Sequence, residues 1–262
     1  VLAYIRAMAR RAKTTTKSKT GKGGRGNARS AKSKAEPRFR PFRWLRRTIL
    51  RLAALAVVLA VCAVAVYGWL NPRTGIYMKR EELRLGELDH QWVPIEEVAP
   101  VMARSVVAAE DANFCSHWGF DITAIRNAIE AGGNRGASTL TQQVVKNVYL
   151  WHGRSWLRKA LEASLTPMVE LFWSKRRIVE VYLNMAEFDE GVFGIDAAAH
   201  HYFGIGPDAL SDLQAARLAA ILPSPKSRSP VNPDTVTRRR TAAIMDGAAT
   251  IRNDGRSACF EG

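Results

Sequence analysis

From Leu52 to Leu70 the chain reads "LAALAVVLAVCAVAVYGWL", 19 residues without a charge. An α-helix rises about 1.5 Å per residue, so this run spans roughly 28 Å, enough for the hydrocarbon core of a bilayer. Tyr67 and Trp69 stand near one end, where aromatic side chains anchor at a membrane interface. Arg43, Arg46, Arg47 and Arg51 crowd the other. The positive-inside rule then predicts a single-pass protein of the inner (plasma) membrane. Its N-terminus is expected in the cytoplasm, and everything after Leu70 in the periplasm or otherwise outside the cytoplasm. A cleaved signal peptide is the competing reading, with Ala63-Val64-Ala65 as the cleavage site. The charged region ahead of it is too long for that, and the apolar run continues past the site.

The formal net charge of +15 is concentrated in one segment. Residues 1–51 hold 17 Lys and Arg against a single acid, Glu36, while the remaining 22 basic and 23 acidic residues nearly cancel. This tail is rich in Gly, Ser, Thr and Lys and has no apolar period, so it cannot bury enough surface to fold alone. Such tails bind nucleic acid or anionic lipid heads. Few aromatics and no folded motif accompany these charges, and the adjacent span explains them as a juxtamembrane segment, so no nucleic-acid partner is expected. The organisation read from the chain is a basic disordered cytoplasmic tail (1–48), a transmembrane helix (49–70), a linker (71–93) and a folded domain (94–262).

Beyond the linker the pattern is mostly α. A strand-like piece is expected around His90 to Ile95. From Pro100, Val101, Met102, Ser105, Val106 and Ala109 recur at helical spacing, with Pro100 suited to a first turn. "AGGNRGAS" (Ala131–Ser138) is a Gly-rich loop without phosphate-loop spacing. After it, Thr139 and Gln142 fit a capping box that starts the helix of "TLTQQVVKNVYL". Gln143, Lys146 and Asn147 share one face of that helix, with Gln142 one turn before Lys146. A solvated face and a polar patch beside a core both fit this. In "SWLRKALEASLTPMVELFWSK", Arg158 and Glu162 lie one turn apart at the edge of an apolar stripe, with Lys159 beyond. Taken alone, an ordinary i,i+4 ion pair is the favoured reading, so this helix by itself does not define a site. Pro167 is expected to kink it. Cys62, Cys115 and Cys259 have no metal-site spacing. They are taken as small packing residues, and a pairing of Cys115 with Cys259 stays open.

"EDANFCSHWGFD" (Glu110–Asp121) sets acids against aromatic residues directly after a helical stretch, as a cleft with shifted pKa values would. This segment resembles the first signature of the family-51 peptidoglycan glycosyltransferases, E-D-x-x-F-x-x-H-x-G. "GASTLTQQVVKN" is similar to their second signature and "RKALE" to their third. "KRRIVEVYLN", "GVFGIDAAAHHYFG" and "LAAILPSP" follow in the family's order. The resemblance covers roughly Pro94 to Pro233, and it is strongest to the monofunctional branch of the family. Ala137 departs from it, standing where a second glycine is usual. Asp189 and Glu190 vary the usual Gly-rich turn.

The resemblance implies a lysozyme-like α-helical glycosyltransferase domain. It implies polymerisation of lipid II by inverting β-1,4 glycosyl transfer, with release of undecaprenyl pyrophosphate. Partners are then lipid II and the growing glycan chain, the membrane, and other cell-wall synthesis and division proteins. Glu110 would be the general base, in apolar surroundings supplied by Phe114, Trp118 and Phe120. The leaving pyrophosphate needs cations, and Lys146, Arg158 and Lys159 are the candidates. Glu162 matches the family's second glutamate, which assists the donor site by orienting those cations or through a metal, Mg²⁺ or Mn²⁺. Ser138, Gln142, Gln143 and Asn147 would hydrogen-bond sugar hydroxyls and phosphate oxygens. Asp111, Phe114 and His117 would support the site. Two other readings compete: a lysozyme-like glycan-cleaving enzyme, which needs no pyrophosphate-binding cations, and a non-catalytic membrane scaffold for cell-wall enzymes.

Overall fold

The computed structural model describes residues 41–132, 136, 138–153 and 155–261. Ala137 and the N-terminal tail to Arg40 therefore lie outside the described residues.

Helix α1 (Pro41–Tyr67) carries the apolar run, and its residues from Phe42 to Tyr67 are long and apolar enough to cross a membrane. Side chains from Ile49 to Leu59 are exposed, as a lipid-facing surface would be, whereas Val64 is buried. The change marks where the helix meets the rest of the chain. The end of α1 leaves backbone carbonyls without helical partners. Arg177 supplies donors, reaching Tyr67 O at 3.2 Å and Leu70 O at 2.8 Å. Trp173 Nε1 donates to Val64 O at 2.7 Å.

Ten further α-helices and three strands follow among the described residues. They begin with α2 (Ile76–Leu85), β1 (Asp89–His90), α3 (Pro100–Glu110) and α4 (Ile122–Glu130). Next come α5 (Leu140–Tyr149), α6 (Trp156–Phe172), α7 (Lys175–Met185), β2 (Glu187–Asp189) and β3 (Val192–Phe193). The chain closes with α8 (Ile195–Phe203), α9 (Asp212–Ile221), α10 (Thr235–Asn253) and α11 (Ala258–Glu261). The fold is mostly α, as expected.

Two packings matter for the site. Helices α3, α9 and α10 form one group, and α5 packs between α6 and α7 in the other. Helix α9 buries Ala215, Ala216, Ala219 and Ala220, small residues that let its neighbours approach closely. Gly247 does the same on α10: a Cβ there would sit 3.1 Å from Ala108 Cβ on α3. Helix α6 stays continuous through Pro167.

The three strands form a small sheet in the order β1-β3-β2, with β1 parallel and β2 antiparallel to β3. The strand expected over His90 to Ile95 is limited to Asp89–His90, and Ile95 already begins a 3₁₀ turn. The reason is a side chain. Asn184 takes both backbone groups of Val93, accepting from its N–H at 2.8 Å and donating to its carbonyl at 2.8 Å. Pro94 then has no N–H with which to continue a ladder.

Cys115 and Cys259 form a disulfide, with Cα atoms 5.8 Å apart, so they are not simply packing residues. The spacing of two cysteines 144 residues apart carries no pairing signal; the fold brings them together. The bond ties the 3₁₀ turn Phe114–Ser116 to α11, where Phe260 is buried beside Phe114.

Candidate active site

Glu110 is the last residue of α3. Its Oε2 accepts from Gln143 Nε2 at 2.9 Å, and its Oε1 accepts from Arg240 Nη2 at 3.0 Å. Burial is the largest influence on this carboxyl and raises its pKa; Gln143, Arg240 and Lys146 act in the opposite sense. The apolar wall differs from the one expected. Trp118 is exposed, and Phe114 is fully buried in the core, packed against His117 and Phe260 beneath the Lys175 ammonium. Glu110 is enclosed instead by α5, α7 and α10. Tyr182 of α7 donates to Gln143 Oε1 at 3.4 Å, and Arg240 covers the other side.

Asp111 organises the next helix. Its Oδ2 accepts from the Leu140 N–H at 3.0 Å, at the N-terminus of α5. Thr139 and Gln142 complete the expected capping box there, so two more of the helix's orphan donors are served. Gln142 is thereby buried and turned back to its own helix, away from the cleft. Gln143, Lys146 and Asn147 remain on the open face, lining a cleft of about 240 Å³ with Tyr77, His152 and Tyr182. His152 stacks on Tyr77 with ring centroids 3.7 Å apart and meets Asn147 Oδ1 at 3.2 Å. A larger groove of about 850 Å³, beside His90, Asp196 and His200, contains none of the expected site residues.

On α6, the Glu162 side chain is buried and both its oxygens are held by cations. Arg158 Nη1 lies 2.6 Å from Oε2, and the Lys159 ammonium holds Oε1. Lys159 also reaches Ser138 Oγ at 3.3 Å. Lys146 is half-buried, and that burial lowers its pKa while Glu162 and Glu110 raise it. The fold thus brings together Glu110, Gln143, Lys146, Arg158, Lys159, Glu162 and Ser138.

Asp111, His117 and Asp121 are a possible metal-ligating group, with ligand atoms within 4.8 Å of one another. Their carboxylate oxygens already have protein donors. His117 Nε2 meets Asp111 Oδ1 at 2.8 Å, and Leu140 N takes Oδ2. Asp121 caps α4 through Ala124 N and accepts from Asn113. The group reads as a hydrogen-bonded clasp, with each oxygen engaged without an ion. Glu162 likewise has no oxygen free of Arg158 and Lys159.

Arg240 is the residue in contact with Glu110 that sequence reasoning did not single out. A weak signal existed: on α10, Thr237, Thr241, Ile244, Ala248 and Ile251 form the buried face, and Arg240 borders it within a run of three arginines.

A half-buried carboxylate beside a gathered set of cations, on a helical domain that follows one apolar helix, is an arrangement suited to group transfer. Similarity to known proteins agrees. A family model described as "Transglycosylase" matches residues 79–249. A protein from Jannaschia sp. (strain CCS1) is 55% identical over 218 residues, covering 83% of this chain and 90% of its own length. Relatives from Caulobacter vibrioides and Rhodospirillum centenum are 42% and 44% identical, each covering 83% of this chain and 96% of their own. All three bear the name biosynthetic peptidoglycan transglycosylase. The chain belongs to the transglycosylase family.

Proposed function

We propose that this chain is a peptidoglycan glycosyltransferase that polymerises lipid II. Glu110 takes the proton from the 4-hydroxyl of one disaccharide as that oxygen attacks the anomeric carbon of another. The anomeric carbon–oxygen bond to phosphate breaks with inversion, giving a β-1,4 linkage, and undecaprenyl pyrophosphate leaves. Its charge is met by Lys146, Arg158 and Lys159, the last two held in place by Glu162. Ser138, Gln143 and Asn147 hydrogen-bond substrate oxygens. Asp111, Phe114 and His117 support them from behind, and Gln142 acts through the cap of α5.

The observation that carries this reading is the pairing of a half-buried candidate base with two cations held on one further carboxylate and with Lys146, on which both acids act electrostatically. A glycan-cleaving enzyme has no use for the cations. Mg²⁺ or Mn²⁺ would supply further charge to the pyrophosphate, and the carboxylate oxygens of Glu162 and of the Asp111 clasp each already accept from a protein donor.

The reading places α1 in the inner membrane, with residues 1–48 in the cytoplasm and 94–262 outside it. The Cys115–Cys259 disulfide supports that side, because such bonds persist in oxidising compartments. Exposed Trp118, Trp151 and Trp156 suit contact with the membrane interface, which bilayer-depth labelling tests. A lipid-tethered substrate then meets a tethered enzyme at high effective concentration. Other cell-wall synthesis and division proteins are partners suggested by the family resemblance.

The test is to incubate detergent-solubilised protein with labelled lipid II beside Glu110→Gln. Polymer from the wild type and none from the variant is expected. Polymer from both would remove Glu110 as the base. No polymer from the wild type in several detergents would favour the scaffold reading.

A further inference from the structure

We propose that Arg240 is a positioning residue for the base. Reaching from α10, it clamps Glu110 Oε1 and the end of α3, so that Oε2 is the oxygen presented to the acceptor hydroxyl. This rests on the reading of Glu110 as general base.

Three observations carry it. The guanidinium makes two contacts through Nη2, with Glu110 Oε1 at 3.0 Å and Ala109 O at 3.2 Å. It therefore fixes both the carboxylate and the last turn of α3, where backbone carbonyls lack helical partners. The second is the rigidity of its platform. Gly247 brings α10 against Ala108, and Thr237, Thr241 and Ile244 are buried on either side of Arg240 along the helix. The third is a cost. Arg240 Nε is buried with no protein acceptor. A desolvated donor without a partner disfavours the fold, so the side chain is held for what its other nitrogens do.

The arrangement gives the two carboxylate oxygens different work. Oε1 is engaged by a cation, while Oε2 has only the neutral Gln143 amide and keeps a lone pair for the incoming hydroxyl. The charges around Glu110 are Arg240 from α10, Lys146 from α5 and its neighbour Asp111, with the neutral Tyr182 hydroxyl of α7 behind Gln143. Arg240 opposes the effect of burial, keeping a larger share of Glu110 ionised and able to accept a proton.

The experiment compares full-length wild type, Arg240→Lys and Arg240→Gln in detergent. One arm measures lipid II polymerisation against pH. The other follows the Glu110 carboxyl by ¹³C NMR titration, assigned with Glu110→Gln, and needs no substrate. Removing the cation raises the proton affinity of Glu110, so the acid limb of the rate profile and the NMR titration should both move to higher pH in Arg240→Gln. The kcat should fall by about 10²-fold, as for a misplaced catalytic group, with KM nearly unchanged. Arg240→Lys should recover part of both and also covers the case in which the glutamine variant does not fold. An unmoved titration with unchanged kcat in the lysine and glutamine variants would overturn the proposal. A titration that shifts in Arg240→Gln while the wild type makes no polymer would uphold the clamp and overturn the glycosyltransferase reading instead.

Discussion

Arg158 Nη1 donates to Glu162 Oε2 at 2.6 Å, and the Glu162 side chain is only 3% exposed. Lys159 takes the other oxygen but is itself 42% exposed, so solvent screens much of its share. Removing one partner of a buried pair leaves the rest uncompensated. Glu162→Gln is therefore expected to cost about 3 kcal/mol of stability, and to lower polymerisation by 10² or more if the cations lose their alignment. A free anion should restore the missing charge. Inorganic pyrophosphate should raise the melting temperature of Glu162→Gln more than that of the wild type, with a gain of about 2.7 kcal/mol at a hundredfold excess over its Kd. An equal or smaller gain in the variant would show that pyrophosphate does not bind among these cations.

The carboxyl of Glu110 makes stability depend on pH. Its folded pKa is raised above the unfolded value, chiefly by burial. Its proton is therefore held more tightly in the folded state, and ionisation at neutral pH works against folding. The sign follows: the penalty is absent below the unfolded pKa and grows as pH rises through the folded one. Glu110→Gln should melt above the wild type at neutral pH, with the difference closing in acid, although it makes no polymer. Calorimetric melts across pH check this. A variant less stable than the wild type at neutral pH would mean that the Arg240 and Gln143 contacts outweigh burial.

The Cys115–Cys259 bond closes a loop of 144 residues, so it restricts the unfolded chain strongly. Loss of such a bond typically costs about 2–5 kcal/mol. The double variant Cys115→Ala/Cys259→Ala should melt several degrees lower. It should still polymerise lipid II well below that temperature, because Glu110 is held by Gln143 and Arg240 on other elements. Loss of activity in a variant that remains folded would show that the 3₁₀ turn Phe114–Ser116 positions the base as well.

Much of the site was legible because its chemistry is local in sequence. The Thr139–Gln142 capping box, the Arg158–Glu162 spacing and the Glu110–Asp111 pair are read within a few residues, and the fold uses all three. What escaped depends on distant partners. Arg240 meets Glu110 across 130 positions, and Asn184 ends the expected strand by pairing Val93 across 91. Nothing near Trp118 reveals that it turns outward, and the capping box that holds Gln142 was read without its consequence, that this side chain is withdrawn from the cleft. The carboxyl-terminal "SACFEG" has no local pattern, yet Cys259, Phe260 and Glu261 fasten the molecule to Cys115, Phe114 and Arg104.

Gly119 should be among the least replaceable residues of the first motif. Its φ is +80°, and a Cβ would sit 2.5 Å from Thr166 Cγ2 and 3.1 Å from Glu170 Cγ on α6. Its carbonyl accepts from Thr139 Oγ1 at 2.7 Å, the same hydroxyl that caps α5. Gly119→Ala thus adds left-handed strain of about 1–2 kcal/mol to overpacking of about 1–3 kcal/mol. It also disturbs the start of the helix that carries Gln143 and Lys146. Gly204 is the control: its φ is +65°, but nothing lies within 4 Å of its Cβ position. Gly204→Ala should cost only the strain, about 1–2 kcal/mol. Thermal melts of the two variants should therefore differ by several degrees, and only Gly119→Ala should lose polymerisation at a temperature where both are folded. Equal melting losses would mean that Thr166 and Glu170 yield freely, and that the loop is not wedged against α6.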